Sequence, residues 1–292
     1  AVPIVSFKSI FAYIICALAA VGLFLYLLFP DQAVKAYVDN RLAAIEPSLT
    51  MTAETMRPTL SPGLKMTGVD LNRDSVRLAH FTDARVAPDL MTLLKGNKQA
   101  RFQARLADGT IQGRAVMAGS GATGQLQVEA DLSQIRIEQI DGLKVSDRFT
   151  LSGILKGHVT HNGDRSPAGA TSGRLTVSGL RIALKAALFG ISELVMDGTD
   201  MEFSTSRQSL RIKTLTFNGP MLEGKITGTI GLKHPFGKSR LNLTGNAKPQ
   251  PELFARLQET IPPGIVNTQT LGTRGLTFTV RGSIDNPDVS MR

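Results

Sequence analysis

Gln125-Leu-Gln-Val-Glu-Ala-Asp-Leu132 alternates apolar and polar side chains at every step. Successive side chains of an extended chain point to opposite faces, so Leu126, Val128, Ala130 and Leu132 share one face, with Gln127, Glu129 and Asp131 on the other. Helical spacing would scatter these residues around a cylinder. The stretch therefore predicts a half-buried β-strand, and it sets the reading of what lies on either side.

The same alternation returns in Leu210-Arg-Ile212 leading to Leu215-Thr-Phe217, and in Ile226-Thr-Gly-Thr-Ile230-Gly-Leu232. It recurs in Leu241-Asn-Leu243 and in Leu276-Thr-Phe278-Thr-Val280. Gly163-Asp164, Asp197-Gly198, Asn218-Gly219-Pro220 and Asp285-Asn286-Pro287 read as turns between strands. Strands at such spacing, with few helical patterns between them, predict an antiparallel meander rather than βαβ units. Segments such as Leu151-Ser-Gly153, Leu175-Thr-Val-Ser-Gly179, Leu243-Thr-Gly245 and Val280-Arg-Gly282 add a loose apolar–polar–Gly rhythm. Glycine within a strand permits bends and bulges, which a long sheet needs in order to curl. Leu126, Val128, Ile226, Ile230, Phe278 and Val280 are the candidate lining of an apolar trough on such a sheet.

Helical patterns are short. Pro88 to Leu94 and Pro251 to Thr260 read as helices, and Leu180 to Phe189 fits either helix or strand. Upstream, Ile10 to Phe29 carries no charged side chain, and twenty residues rising ~1.5 Å each span about one hydrocarbon core. It reads as a transmembrane helix behind a short tail (1–9), closed by Pro30 and Asp31. Lys8 favours a cytoplasmic N-terminus. Ala33, Val34, Tyr37, Val38, Leu42 and Ile45 then follow helical spacing over 31–47. This predicts an amphipathic juxtamembrane helix that lies on the membrane or seals one end of the domain expected over 60–292.

Composition narrows the chemistry. The 292 residues contain no Trp and one Cys, Cys16, within the apolar segment, so no disulfide forms within the chain. The net charge of +9 suits an anionic partner but names none. Gly119-Ser-Gly-Ala-Thr-Gly124 fits a dinucleotide fingerprint, yet that chemistry needs a helix after the glycines and a strand follows. A hairpin loop explains it, so no cofactor is expected. His158 and His161 fall on opposite faces of a strand, so no metal site is expected from them. No nucleophile elbow or other catalytic motif occurs, and the basic residues are not clustered with aromatics as on a nucleic-acid surface. The residues point to a protein that is not an enzyme.

The chain resembles the type II secretion system protein N family in its long form. The resemblance lies in the apolar segment ending Leu28-Phe29-Pro30, Ser61-Pro-Gly-Leu-Lys-Met66, and the Leu90-to-Lys98 stretch with the Phe102-to-Gly109 strand. It continues in Ser239-Arg-Leu-Asn-Leu243, Lys248-Pro-Gln-Pro251, and Phe278-Thr-Val-Arg-Gly282 with Asn286-Pro287. It implies an anchored subunit of the bacterial inner membrane with its β domain in the periplasm, working beside secretin or pseudopilus-assembly proteins. The family looks akin to AsmA-like proteins, whose curled sheets present an apolar trough and are linked to lipid transport. The expected fold is thus mainly β: one transmembrane helix, then a large antiparallel, curled, AsmA-like sheet with few short helices. Two functions follow as expectations: a structural role in protein export, or the binding and transfer of phospholipid.

Overall fold

The computed structural model describes residues 48–59, 63–73, 76–89, 98–118, 125–144, 149–164, 169–188, 191–206, 208–233, 236–251 and 275–291, with positions 32, 34–36, 38–40, 92 and 253. The expected membrane span over 10–29 lies outside them. Among the described residues no helix is long and apolar enough to cross a membrane.

Fourteen strands form one sheet in sequence order, each antiparallel to the next. They are β1 (Leu49–Pro58), β2 (Leu64–Arg73), β3 (Val76–Pro88), β4 (Lys98–Leu106), β5 (Gly109–Ala118), β6 (Gln125–Arg136) and β7 (Phe149–Asp164). The rest are β8 (Ala170–Leu188), β9 (Ile191–Ser206), β10 (Ser209–Asn218), β11 (Leu222–Gly231), β12 (Arg240–Pro249), β13 (Leu276–Ser283) and β14 (Pro287–Met291). The sheet is not closed, so β1 and β14 are its edges.

The antiparallel meander expected from the alternating segments is present, and the sheet begins at Leu49, ahead of residue 60. Leu49, Met51 and Ala53 already alternate with Thr50, Thr52 and Glu54, and the alternation changes parity before the buried Met56. Two expectations are corrected. Asp197-Gly198 is not a turn but sits inside β9, where Gly198 pairs with Ser178 on one side and Asn218 on the other. Apolar Leu194, Met196 and Met201 around the dipeptide hold the chain extended against both neighbours. Pro88 closes β3 instead of opening a helix. The helical position Thr92 is tied back to Asp89 by Thr92 Oγ1 donating to the carbonyl at 2.8 Å. Leu180 to Leu188 resolves as strand, the second half of β8.

Period-2 alternation breaks where a strand bends. Leu175 and Val177 share a face with Leu180 and Ile182, although the spacing changes parity between them. Gly179 has φ +60°, a left-handed backbone that re-phases the strand there, and Gly68 (φ +56°) does the same between Met66 and Val69. In β6 a non-glycine, Gln134 (φ 55°), turns the chain so that Ile135 lands on the face of Leu132.

Two apolar rows therefore run across the whole sheet. The first reads Met56, Met66, Ala84, Ala104, Ile111, Leu132, Gly157, Leu175, Met201, Leu215, Ile226, Gly245, Phe278 and Met291, one residue per strand. The second reads Pro58, Leu64, Val86, Phe102, Gly113, Ala130, Val159, Gly173, Phe203, Ile212, Gly228, Leu243, Val280 and Val289. No polar side chain interrupts either row.

The opposite face carries cross-strand ion pairs, such as Arg105–Asp83 (2.8 Å), Arg114–Glu129 (2.7 Å) and Lys213–Glu202 (3.0 Å). The Lys213 hydrogen bond holds the Glu202 carboxyl below the ordinary carboxylate range. Exposed pairs of this kind add little stability each, so they mark this as the solvated face.

Candidate apolar face

The six positions expected to line a trough all lie on the apolar face. Ile226 and Phe278 belong to the first row with Gly245 between them, and Val280 to the second. Val128 and Ile230 share a third row, Val128–His161–Thr171–Thr205–Leu210–Ile230. Leu126 stands one rung further along β6, opposite Met117 and Gly163. All six are half-buried, neither sealed in a core nor free in solvent.

Cover on this face is uneven. Met56, Met66 and Val69 are buried, and Val34 of the N-terminal helical segment packs against them. Lys35 Nζ donates to the carbonyl oxygen of Glu54 at 3.4 Å, which ties the same segment to the edge strand β1. Of the two roles expected for the 31–47 helix, sealing one end of the sheet matches this contact. A second cluster unites Ala79 of β3, Leu106 of β4 and Ile135 of β6, with Ile140 against it. Ile140 lies in the β6–β7 connection, between two single-turn helices, Ile137–Gln139 and Asp141–Leu143.

That connection crosses the end of the β4–β5 hairpin and lands on β3. Arg136 N donates to Ala107 O at 3.0 Å, Gln139 Nε2 donates to Asp108, and Arg77 Nε donates to Asp141 Oδ2 at 2.7 Å. Lys144 donates to the other Asp141 oxygen at 2.9 Å. The Lys144 hydrogen bond, with Arg77 adding to it against a smaller opposing effect of burial, holds the Asp141 carboxyl below the ordinary carboxylate range. Elsewhere on the face burial is partial on both sides of β7: Phe102, Ala104, Ile111, Leu175, Val177, Met201 and Phe203 are half-buried, while Ile212 and Phe217 are buried.

Phenylalanine and glycine pair repeatedly on this face. Phe102 faces Gly113, Phe203 faces Gly173, Phe217 faces Gly224 and Phe278 faces Gly245. A β-carbon at Gly113 would come within 2.6 Å of Phe102 Cζ, and one at Gly245 within 2.5 Å of Phe278 Cζ. Each ring thus lies down over bare backbone, shielding its hydrogen bonds and keeping the face low and smooth. The apolar–polar–Gly rhythm of the sequence contains the glycine half of this arrangement.

A polar patch lies on the face, and sequence reasoning missed it. His161 Nδ1 and Thr171 Oγ1 are 2.8 Å apart, and Thr171 N donates to Thr205 Oγ1 at 3.3 Å. The signal was present: His161 falls on the Val159 face and His158 on the other, where His158 meets Asp131 at 2.7 Å. The glycine run 119–124 lies outside the described residues. In sequence it stands between β5 and β6, which pair antiparallel, and Gln125 after it is strand. Among the described residues no group of three His, Cys, Asp or Glu is placed to hold a metal ion. No family model, curated protein or solved structure matches the chain.

Proposed function

We propose that the chain is a non-enzymatic subunit of the type II secretion system, anchored in the bacterial inner membrane with its sheet in the periplasm. Its role in export is that of an interaction surface, and the partner it meets is a secretin or pseudopilus-assembly protein. The observation that carries this reading is the apolar face, continuous over all fourteen strands and half-exposed at most of its positions. Exposed apolar surface of such extent on a folded protein marks a place where something binds. The resemblance noted in the sequence supplies the machine, and the face supplies the means. Photo-reactive residues at Leu126, Ile230 and Phe278, activated in intact membranes, are expected to crosslink to a secretion subunit. Crosslinks to phospholipid alone would sink this reading.

A second reading is favoured by the polar patch. A row of alkyl and phenyl groups beside the His161–Thr171–Thr205 hydrogen bonds offers both halves of an amphiphile a surface. In this reading the sheet is an AsmA-like lipid-binding or lipid-transfer module, with acyl chains along the apolar rows. Native mass spectrometry of the detergent-extracted chain tests it. Lipid retained by the chain and lost on Ile230→Glu supports it, and a lipid-free spectrum removes it.

A further inference from the structure

On the solvated face, many basic residues are set beside acidic ones across the strands, as at Arg77–Asp70, Arg101–Asp89 and Lys248–Glu223. One group is set beside other basic residues instead. Arg57 of β1 is the direct partner of Lys65 of β2, and Lys65 is the direct partner of Arg85 of β3. Three like charges thus stand in a row, and none has an acidic partner among the described residues. The nearest carboxylate along β3, Asp83, is engaged by Arg105 at 2.8 Å. Like charges directly opposite on a sheet are destabilising, so the stripe costs stability unless an anion neutralises it.

Its place in the fold says which anion. The stripe lies at the end of the sheet that carries the β1–β2 turn, Arg57 and Lys65 each one residue from their strand ends. Arg85 stands three residues from the end of β3, ~10 Å at strand rise. The N-terminal helical segment lies against the same strands: Val34 packs against the Met56–Met66–Val69 cluster and Lys35 reaches Glu54 O. In sequence, the twenty-residue apolar stretch Ile10–Phe29 ends three residues before Gln32 of that segment. At the same end the β11–β12 turn adds exposed Lys233 and Lys238, fixed by Ser239 Oγ accepting from Lys233 N at 3.0 Å. At the opposite end, Asp108 and Asp141 are met by Arg136, Arg77 and Lys144, so the charges there are paired.

We propose that the Arg57–Lys65–Arg85 stripe binds anionic phospholipid headgroups and seats this end of the sheet on the membrane surface. The long side chains extend toward a headgroup layer up to ~10 Å away, about one Debye length at ~0.1 M salt. The sheet then stands with its strands directed away from the bilayer, and the apolar rows, which cross the strands, run parallel to the lipid surface. The proposal rests on the anchored reading above, and the test separates the two.

The full chain has no Trp, so one introduced indole reports one position. Val86→Trp, at a site 38% exposed beside the stripe, and Leu143→Trp, at a site 44% exposed on the far end, are reconstituted into vesicles. The vesicles contain brominated phosphatidylglycerol in phosphatidylcholine. Quenching several-fold greater for Val86→Trp than for Leu143→Trp is expected. It should fall to the Leu143→Trp level when Arg57→Gln, Lys65→Gln and Arg85→Gln are added, with the chain still floating with the vesicles. Flotation with equal quenching of both indoles, or quenching indifferent to the three substitutions, overturns the proposal and leaves the anchor. Failure to float with any vesicle overturns both.

Discussion

Phe278 lies directly across the β12–β13 ladder from Gly245, and its ring occupies the space a β-carbon at Gly245 would need. The pair is a unit: enlarging one member must displace the other. Gly245→Val is expected to lower unfolding free energy by about 1–3 kcal/mol, the usual cost of overpacking. Gly245→Val combined with Phe278→Ala should recover part of that loss. Denaturant midpoints of the single and double variants check it, and strict additivity would show that the ring does not depend on the glycine.

Burial along the apolar face predicts a gradient of mutational cost. Ile135 is 0% exposed in the cluster with Ala79 and Leu106, so Ile135→Ala should cost about 2–5 kcal/mol. Ile226 and Ile230 are half-exposed, and truncating either to Ala should cost about 1 kcal/mol, roughly half a full aliphatic burial. Chemical denaturation of the three variants measures this. Equal costs would mean that the open part of the face is sealed in solution.

The β6–β7 connection is fastened by a carboxylate whose pKa is depressed, chiefly by Lys144. A depressed carboxylate contributes stability above its unfolded pKa, ~3.9, and loses it as pH falls through the lower folded value. Unfolding free energy should therefore decline below about pH 4, and Asp141→Asn should remove that part of the decline. At neutral pH the same substitution is expected to cost about 1 kcal/mol or less. Thermal melts of both proteins between pH 2.5 and 7 check the sign, and parallel curves would count against it.

Val34 seals the β1–β3 part of the apolar face, so Val34→Asp should free the N-terminal helical segment without unfolding the sheet. Amide hydrogen exchange is expected to quicken in β1, near Glu54 and Met56, and to stay unchanged from β8 to β14. Faster exchange across all strands would make the segment part of a single cooperative core.

Strand alternation was legible where polar positions were filled by charged or amide residues, as in Gln125–Leu132. It was hidden in β1, where the alternation changes parity between Ala53 and Met56, and at Asp197-Gly198, where a turn dipeptide is overruled by pairing on both sides. The re-phasing at Gly68, Gln134 and Gly179 could not be read either, because a parity change in sequence looks the same as the end of a strand. The six positions of the apolar face were legible as a set, since period 2 alone assigns them to one side. Their half-exposure was not, for it depends on where the N-terminal segment and the β6–β7 connection lie. The Arg57–Lys65–Arg85 stripe was invisible for a related reason. Its members are far apart in sequence, and only register makes them neighbours.

Every strand pairs only with its sequence neighbours, and the first and last strands are the two free edges. A pull applied between the start of β1 and the end of β14 would meet one long-range clasp among the described residues, the β6–β7 connection fastened to β3. Elsewhere it would peel strands away singly from either border, like a zip opened from both ends, with force rising and falling once per strand. The same arrangement makes the sheet extensible by inheritance. Inserting or deleting one whole hairpin keeps every remaining residue on its own side, so such a protein can change its reach without redesigning its surface.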